Sequence, residues 1–308
     1  MRAIVSSALI GLLPLAGLAA APASPPPAAA PDFSQVQIRV TRVTGDLYAL
    51  EGQGGTVSVL AGPDGALVID SQFAPLSEKL IAAIRTFSQA RLRFLLNTHV
   101  HGDHTGGNAN FTRAGATVIA RDNVRQRMRF PAPNANGTPG TPAVAEALPV
   151  VTFEGPTAVY LNGQTVRMTP MPAAHTDGDV MIEFPQLDVL VVGDFFRSVG
   201  YPVADRNSGG SFRGIVDALG IAIGRAGAAT RVIPGHGPIS SRAGLIEQRD
   251  LLVAIIDSVE KLVRSGQTVE QVLAAKPTAA FDDRVPQGAQ SAERLIRGLY
   301  AELSAEKR

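Results

Sequence analysis

The stretch THVHGDHTGGN, residues 98–108, places four metal-ligating side chains within six positions. His99 and His101 are two residues apart, so in extended backbone both side chains point to the same side and can hold one ion. A glycine then lets the chain turn, and Asp103 and His104 emerge in another direction. Two such pairs suit two adjacent metal ions better than one. Imidazole and carboxylate ligands without thiolate favour zinc, with iron or manganese as alternatives.

Two further histidines and one aspartate follow later strands in similar surroundings. His175 lies in AHTDGD, residues 174–179, and His236 lies in PGHGP, residues 234–238. Asp194 comes one glycine after an apolar run that reads as a buried strand. Taken singly, each histidine would be an ordinary polar loop residue and Asp194 a turn or helix-capping residue. Because all five histidines fall in loops beside glycines, where an ion can approach the backbone, we predict that they form one site.

Composition excludes several other classes of protein. The chain has 308 residues, of which 45% are hydrophobic and 18% charged, and its formal net charge is +1. This length allows a substantial buried core and gives a prior of about two domains. Without a basic patch, a nucleic-acid partner held through phosphate contacts is not expected. Cysteine is absent, which excludes disulfides, thiolate ligands and cysteine nucleophiles.

The beginning of the chain predicts export. Arg2 precedes an apolar run over residues 3–20, and three alanines at the end of this run offer a small-x-small cleavage site. This pattern is typical of a signal peptide, here over residues 1–21. A retained membrane anchor is the weaker alternative, because the run contains proline and glycine and is barely ~18 residues long. Residues 22–31 form a Pro/Ala-rich linker. We expect a periplasmic or secreted protein without membrane contact after cleavage.

The remaining residues, 32–308, read as one α/β domain with C-terminal helices. Short β-rich runs separated by turns occupy residues 36–69, a buried strand follows at 92–96, and more strands follow between 150 and 192. Helical apolar spacing marks four segments, residues 77–87, 211–224, 243–264 and 291–303. A capping box at Thr268–Gln271 opens one more short helix. Two strand-rich halves, each followed by helices, predict a sandwich of two mixed β-sheets with helices outside.

The candidate ligands resemble, in order, the five motifs of the metallo-β-lactamase fold superfamily, over about residues 36–240. The resemblance implies an αββα sandwich with a dinuclear site at the edge between its two sheets. It implies one metal held by His99, His101 and His175, a second held by Asp103, His104 and His236, and Asp194 as a bridge between them. Asp70, after the strand at 66–69, matches the aspartate of the family's first motif, which supports the metal loop from behind.

The resemblance also implies a zinc-dependent hydrolase that acts on the activated carbonyl of a small molecule. Three neutral histidines leave one zinc position open for water and lower the pKa of that water toward ~7, so that hydroxide forms at neutral pH. Asp103 is the expected catalytic residue, because it can orient this nucleophile and pass a proton on.

The substrate class is less sharply indicated. A bridging Asp194 is similar to the arrangement in glyoxalase II and lactonases, whereas the commonest metallo-β-lactamases carry cysteine there. Arg197 stands at the spacing at which common β-lactamases place a lysine for the substrate carboxylate, and Asn207 is a candidate oxyanion or amide contact. The alternatives are a surface arginine and a turn asparagine. We expect β-lactam-type ring opening first, and lactone, ester or thioester hydrolysis as the alternative.

Two other functions on the same fold stay open. Iron in place of zinc would indicate a persulfide dioxygenase. Closed coordination without a water position would indicate a zinc-binding protein instead of an enzyme.

The composition of residues 130–150 predicts a mobile flap near the metals. They hold five prolines and two glycines, so regular structure is not expected there. Structureless loops of more than ~15 residues are usually lids, binding loops or disordered segments. The alternative is a flexible surface loop that does not act as a flap.

Overall fold

Two inner strands are apolar or small at every position, which places them between other layers. β3 (Val57–Leu60) and β4 (Ala66–Ile69) are buried along their whole length, as expected when helices cover one face and a second sheet the other. The computed structural model describes residues 32–133 and 137–306, and the described residues from Phe33 onward pack as one compact unit. The predicted signal peptide, residues 1–21, and the linker, residues 22–31, lie outside the described residues.

The first sheet contains seven strands in their order along the chain. They are β1 (Arg39–Thr44), β2 (Leu47–Glu51), β3, β4, β5 (Leu92–Leu96), β6 (Thr117–Arg121) and β7 (Val151–Phe153). Neighbours are antiparallel from β1 to β4 and parallel from β4 to β7. The carboxyl ends of β4 and β5 therefore lie side by side.

The second sheet contains six strands in the order β13-β12-β11-β10-β9-β8. They are β8 (Thr157–Leu161), β9 (Gln164–Pro170), β10 (Val180–Phe184), β11 (Val189–Val191), β12 (Arg231–Ile233) and β13 (Ser240–Ser241). Only β11 and β12 are parallel among these pairs, so the loops that follow them begin at the same edge.

Eight α-helices are found in the described part of the chain. They are α1 (Ser77–Arg85), α2 (Gly102–Thr105), α3 (Asn108–Arg113), α4 (Asp122–Arg129), α5 (Phe212–Arg225), α6 (Arg242–Arg264), α7 (Val269–Ala274) and α8 (Gly288–Glu306). The predicted capping box opens α7: the Thr268 side chain accepts from the Gln271 backbone, and the Gln271 side chain accepts from the Thr268 backbone. None of the helices in these ranges combines the length and the apolarity that a membrane span requires.

The core lies in three layers that confirm the predicted sandwich of two mixed sheets. Between the sheets, Leu67 and Ile69 of the first pack in one cluster with Ile182 and Phe184 of the second. The outer face of the first sheet is covered by α1. The outer face of the second is covered by α5, α6 and α8. Helices on both outer faces and apolar contact between the sheets define an αββα arrangement.

No element was predicted for residues 97–149, where the structure places α2, α3, β6 and α4. α2 and α3 have only four and six residues, too few for helical periodicity to emerge. Elsewhere the boundaries moved by a few residues. β1 begins at Arg39 and not at Val36, and α8 begins at Gly288 and not at Ser291.

Candidate metal centre

Three histidines from the two sheets form the first candidate ligand group. His99 and His101 follow β5, and His175 lies in the loop between β9 and β10. One ring nitrogen from each belongs to a cluster whose atoms lie within 4.8 Å of one another. Nε2 of His175 is 2.8 Å from Nδ1 of His101, although the residues are 74 positions apart.

A second group of three ligand-type side chains lies beside the first. Asp103 and His104 belong to α2, and His236 follows β12. Their ligand atoms also lie within 4.8 Å of one another. Oδ2 of Asp103 is 3.2 Å from Nε2 of His236 and 3.7 Å from Nε2 of His104.

The Asp194 carboxylate lies between the two groups. Its Oδ1 is 3.1 Å from Nε2 of His104, and its Oδ2 is 3.2 Å from Nε2 of His236 and 3.7 Å from Nε2 of His175. The side chain is only 4% exposed. A buried carboxylate in reach of both groups is the arrangement of a bridging ligand. The structure thus brings together all seven predicted ligands.

The polar atoms of this cluster fit metal binding better than mutual hydrogen bonding. Nε2 of His99, Nε2 of His104 and Oδ1 of Asp194 are buried and have no hydrogen-bond partner among the described residues. The last two atoms are close, but their geometry is not that of a hydrogen bond. Unpaired buried polar atoms are costly, and a cation would satisfy all three. The residues present therefore fit two metal ions.

Burial keeps part of the first group in the form that binds metals. Burial, followed by the nearby His104, holds the pKa of His99 well below its ordinary value. Burial also lowers the pKa of His175 to about 4. Both rings are therefore neutral at pH 7, and a neutral imidazole is the form that donates a lone pair to a metal.

Carboxylates dominate the electrostatics of the second group. Burial alone would lower the pKa of His104, but Asp70 and Asp194 raise it well above its ordinary value. Burial opposes ionisation of Asp194, yet His104 holds the pKa of that carboxyl well below its usual range. The Asp70 and Asp194 carboxylates thus favour positive charge at this position, which a bound cation would supply.

A second nitrogen of each ring in the first group is held from outside. Nδ1 of His99 is 3.0 Å from the Thr98 hydroxyl, Nδ1 of His175 is 2.6 Å from the Val203 carbonyl oxygen, and Nε2 of His101 is 2.8 Å from Oδ2 of Asp205. Sequence reasoning missed these partners. Asp205 is 104 residues from His101, and in sequence it indicates only a turn or helix cap.

Asp70 lies behind the loop that carries four of the ligands. Its carboxylate accepts from the Thr98 backbone and hydroxyl at 2.8 and 2.7 Å, and Oδ2 is 2.7 Å from Nδ1 of His104. The residue has φ +63°, a left-handed conformation that aspartate tolerates better than most residues. Asp70 thus fixes both the loop backbone and one ligand ring.

Arg197 and Asn207 lie in surroundings that differ from those predicted. Nη1 of Arg197 is 3.1 Å from Oδ2 of Asp194, and its side chain is 17% exposed, so its observed partner is a candidate metal ligand. The Asn207 side chain is exposed, its backbone donates to Oδ1 of Asp205, and its carbonyl accepts from Arg127. This is the turn role weighed as an alternative, and a substrate contact of Asn207 stays a prediction.

In the described parts of this segment, residues 130–133 and 137–150, the backbone is irregular, as predicted, apart from a short 3-10 turn at Ala145–Ala147. Residues 134–136 lie outside the described part of the chain. The far end of the segment is anchored, because Ala147 is buried and its carbonyl accepts from the Asn108 side chain at 3.0 Å. The role of the segment as a flap stays a prediction.

Gly235 lies against the bridging carboxylate, and alanine there is expected to destabilise the protein. A Cβ would stand 1.9 Å from Oδ1 of Asp194 and 2.7 Å from the Gly193 carbonyl carbon. The Gly235 backbone cannot retreat easily, because it donates to Gly193 and accepts from Thr56. We expect Gly235→Ala to lower the free energy of unfolding by about 1–3 kcal/mol, measured by urea denaturation.

Gly220→Ala is the matched control for this change. Gly220 is exposed on α5, where a Cβ meets nothing within 4 Å. That variant should gain up to ~1 kcal/mol from helix propensity. Equal stability of the two variants would contradict the close packing of Gly235 on Asp194.

The family model of the metallo-beta-lactamase superfamily matches residues 50–236. A curated relative, hydroxyacylglutathione hydrolase from Anaeromyxobacter dehalogenans (strain 2CP-C), is 29% identical over 182 residues. The match covers 59% of this chain and 60% of that relative, so the chain spans less than two thirds of the relative's length. The prediction of a metal-dependent hydrolase agrees with both findings.

Solved structures are similar in fold. A metallo-beta-lactamase from Pontibacter korlensis has a TM-score of 0.56 at 22% identity, over 70% of this chain and 99% of that one. The inverting sec-alkylsulfatase Pisa1 from Pseudomonas sp. has a TM-score of 0.63 at 17% identity, over 85% of this chain and 50% of that one. Since the family model covers more than half of the chain and both neighbours share its fold, this protein belongs to the metallo-beta-lactamase superfamily.

Proposed function

We propose that the protein is a hydrolase of activated carbonyl compounds that works with two zinc ions. His99, His101 and His175 would hold one ion, Asp103, His104 and His236 the other, and Asp194 would bridge them. When bound, such ions activate a water molecule and polarise the carbonyl. The remaining steps fall to side chains of this chain.

The observation that carries this proposal is the position of Asp194. Its two oxygens face histidines of both groups, at 3.1 Å from His104 and at 3.2 Å from His236. With three ligands of its own and the shared carboxylate, each ion would have four protein ligands, so a water molecule would take a fifth position, to which catalytic zinc can expand. The partial exposure of His101, Asp103 and His236 leaves one side of the cluster open to solvent, which favours an enzyme over a closed binding site.

Asp103 is the side chain best placed to handle the proton of the reaction. It is 23% exposed, whereas Asp194 is 4% exposed, so a substrate at the mouth of the site can reach it. Its Oδ2 faces His104 and His236, so its other oxygen, Oδ1, would accept a proton from the attacking water as the carbon–oxygen bond forms. The same proton would then pass to the leaving group as the carbon–heteroatom bond breaks.

The proposed substrate class is an ester, lactone or thioester, with β-lactams as the second candidate. The relative that is 29% identical carries the name of a thioester hydrolase, which supports this order. A β-lactam would need a free cation for its carboxylate. Arg197, the candidate from sequence, is instead paired with Asp194 at 3.1 Å.

Arg197→Ala is expected to affect neutral and anionic substrates equally. A charge-assisted contact is worth roughly 1.5–3 kcal/mol, or about tenfold to more than a hundredfold. We expect kcat to fall by about tenfold for both substrate types, because the bridging Asp194 loses an orienting partner. The measurement is steady-state kinetics on a lactone and a penicillin. A rise in the Michaelis constant confined to the penicillin would assign Arg197 to the substrate carboxylate.

A hydrolysis panel combined with elemental analysis tests the proposal as a whole. The panel contains an acyl-homoserine lactone, a thioester, a penicillin and a carbapenem. Two zinc ions per chain with lactone or thioester turnover would support the proposal, and β-lactam turnover alone would favour the second candidate. One iron per chain with oxygen consumption would indicate oxidation of a persulfide instead, and metal binding without any turnover would indicate a zinc-binding protein.

We further propose a periplasmic or secreted location and a small-molecule substrate. The support is the apolar run after Arg2 and its alanine-rich end. Mass spectrometry of the protein recovered from the periplasm of an expressing bacterium is expected to give a chain that lacks residues 1–21 and begins at Pro22. A full-length chain found in the cytoplasm would contradict export.

A further inference from the structure

We propose that Asp205 is a positioning residue that fixes the ring of His101 and thereby sets the affinity of the first metal group. Its Oδ2 is 2.8 Å from Nε2 of His101. An ionised carboxylate only accepts hydrogen bonds, so Nε2 must carry the hydrogen, and the lone pair of the ring then stands on Nδ1. Nδ1 is the nitrogen that faces His175. The inference rests on the metal centre proposed above.

His101 needs such a partner more than the other two histidines of its group. The side chain of His101 is 30% exposed, whereas His99 and His175 are buried. Packing restrains a buried ring, but a partly exposed ring is free to choose its rotamer and its tautomer. An acceptor on Nε2 removes that freedom before a metal arrives.

The backbone around Asp205 joins two ligands into one unit. The Asp205 amide donates to the carbonyl of His175 at 2.8 Å, and its carbonyl accepts from Gly210 at 2.7 Å. Gly210 must be glycine at this approach, because a Cβ would stand 2.2 Å from the His175 carbonyl oxygen. The segment that orients His101 is therefore bonded directly to the loop that carries His175.

Arg127 reinforces this unit from α4. Its guanidinium donates to both carboxylate oxygens of Asp177 and to the carbonyl of Asn207, the latter at 3.0 Å. Asp177 and Asn207 lie two residues beyond His175 and Asp205 respectively. Arg127 thus links the loop that follows His175 to the segment that carries the Asp205 carboxylate.

A purely structural role for Asp205 is the alternative, since its Oδ1 accepts from the Asn207 backbone at 3.0 Å and caps a short turn. Asp205→Asn separates the two roles. Asparagine caps turns as well as aspartate does. With its one side-chain oxygen engaged in the cap, however, it presents an amide NH₂ to His101, which favours the tautomer with the hydrogen on Nδ1.

The experiment is a titration of metal-free protein with Zn²⁺ in competition with a chromophoric chelator. Wild type is expected to bind two ions. Asp205→Asn is expected to bind one ion as wild type does and the other about 10–100-fold more weakly. Urea unfolding of the metal-free variant should match wild type, because the cap is retained. The control is Asp257→Asn, the same substitution at an exposed position of α6, which should change neither quantity.

Three other results of these measurements would contradict the proposal, each in a different way. Two ions bound by Asp205→Asn with wild-type affinity would refute the positioning role and leave the metal centre intact. A loss of affinity matched by a loss of metal-free stability would assign Asp205 to the turn alone. If wild type itself binds no Zn²⁺, the metal centre fails and the inference fails with it.

Discussion

Asp103→Ala is expected to lower kcat by about 10²–10⁴-fold, the range for loss of a group that transfers a proton. The carboxylate lies 3.2 Å from His236 and is the more exposed of the two acids in the cluster. Its removal takes away a ligand of the second group and the proton acceptor together. The fold should persist, because Asp103 is partly exposed on a helix of one turn. Kinetics on the accepted substrate and zinc content per chain are the measurements.

Asp103→Asn is the matched variant, because it retains the shape and one oxygen ligand but not the basicity. It should retain more zinc than Asp103→Ala, but its kcat should be only slightly higher than that of Asp103→Ala. The first ion should stay bound in both variants, since its three histidines are unchanged. Wild-type turnover by Asp103→Ala with its full complement of metal would refute the role assigned to Asp103.

Asp194→Ala is expected to weaken the binding of both metal ions and not of one ion alone. Its carboxylate faces both histidine groups, with Oδ1 at 3.1 Å from His104 and Oδ2 at 3.7 Å from His175. Loss of an outer partner of a ligand typically costs 10–100-fold in metal affinity, so loss of a shared ligand should cost more than ~100-fold. The measurement is the same competition against a chromophoric chelator, with turnover at saturating Zn²⁺ as a second readout.

The contrast with Asp103→Ala makes the bridging role testable. If Asp103→Ala loses one ion and Asp194→Ala binds both ions more weakly, the result would support Asp194 as a bridging ligand. An Asp194→Ala variant that loses a single ion would place Asp194 on one metal only. Arg197→Ala serves as a control for the loss of the ion pair, because it leaves the Asp194 carboxylate in place.

The Asp194–Arg197 pair also bears on how substrates are distinguished. Arg197 already donates to Asp194 at 3.1 Å, so it would have to give up this contact in order to bind a substrate carboxylate. The geometry therefore favours substrates that do not require a cation at this position. For that reason neutral lactones and esters precede β-lactams in the proposed order.

Local pattern made much of this protein predictable. Strand and helix periodicity indicated two mixed sheets with outer helices, because burial on one face leaves a regular trace in sequence. The ligand set was also visible, since four of its members fall within residues 99–104 and the others each follow a strand beside glycine. The helices α2 and α3 were not visible, because four and six residues leave too few turns to read.

What the sequence determined by itself was thus the fold class and the residues able to hold metal. Only the tertiary structure decided their partners. It placed Asp205 on His101 across 104 positions, and it paired Arg197 with Asp194. The physical reason is that a carboxylate or guanidinium has the same local sequence signature whatever it contacts. Its partner depends on which loops the two sheets bring to one edge, and residues distant in sequence meet only after the chain has folded.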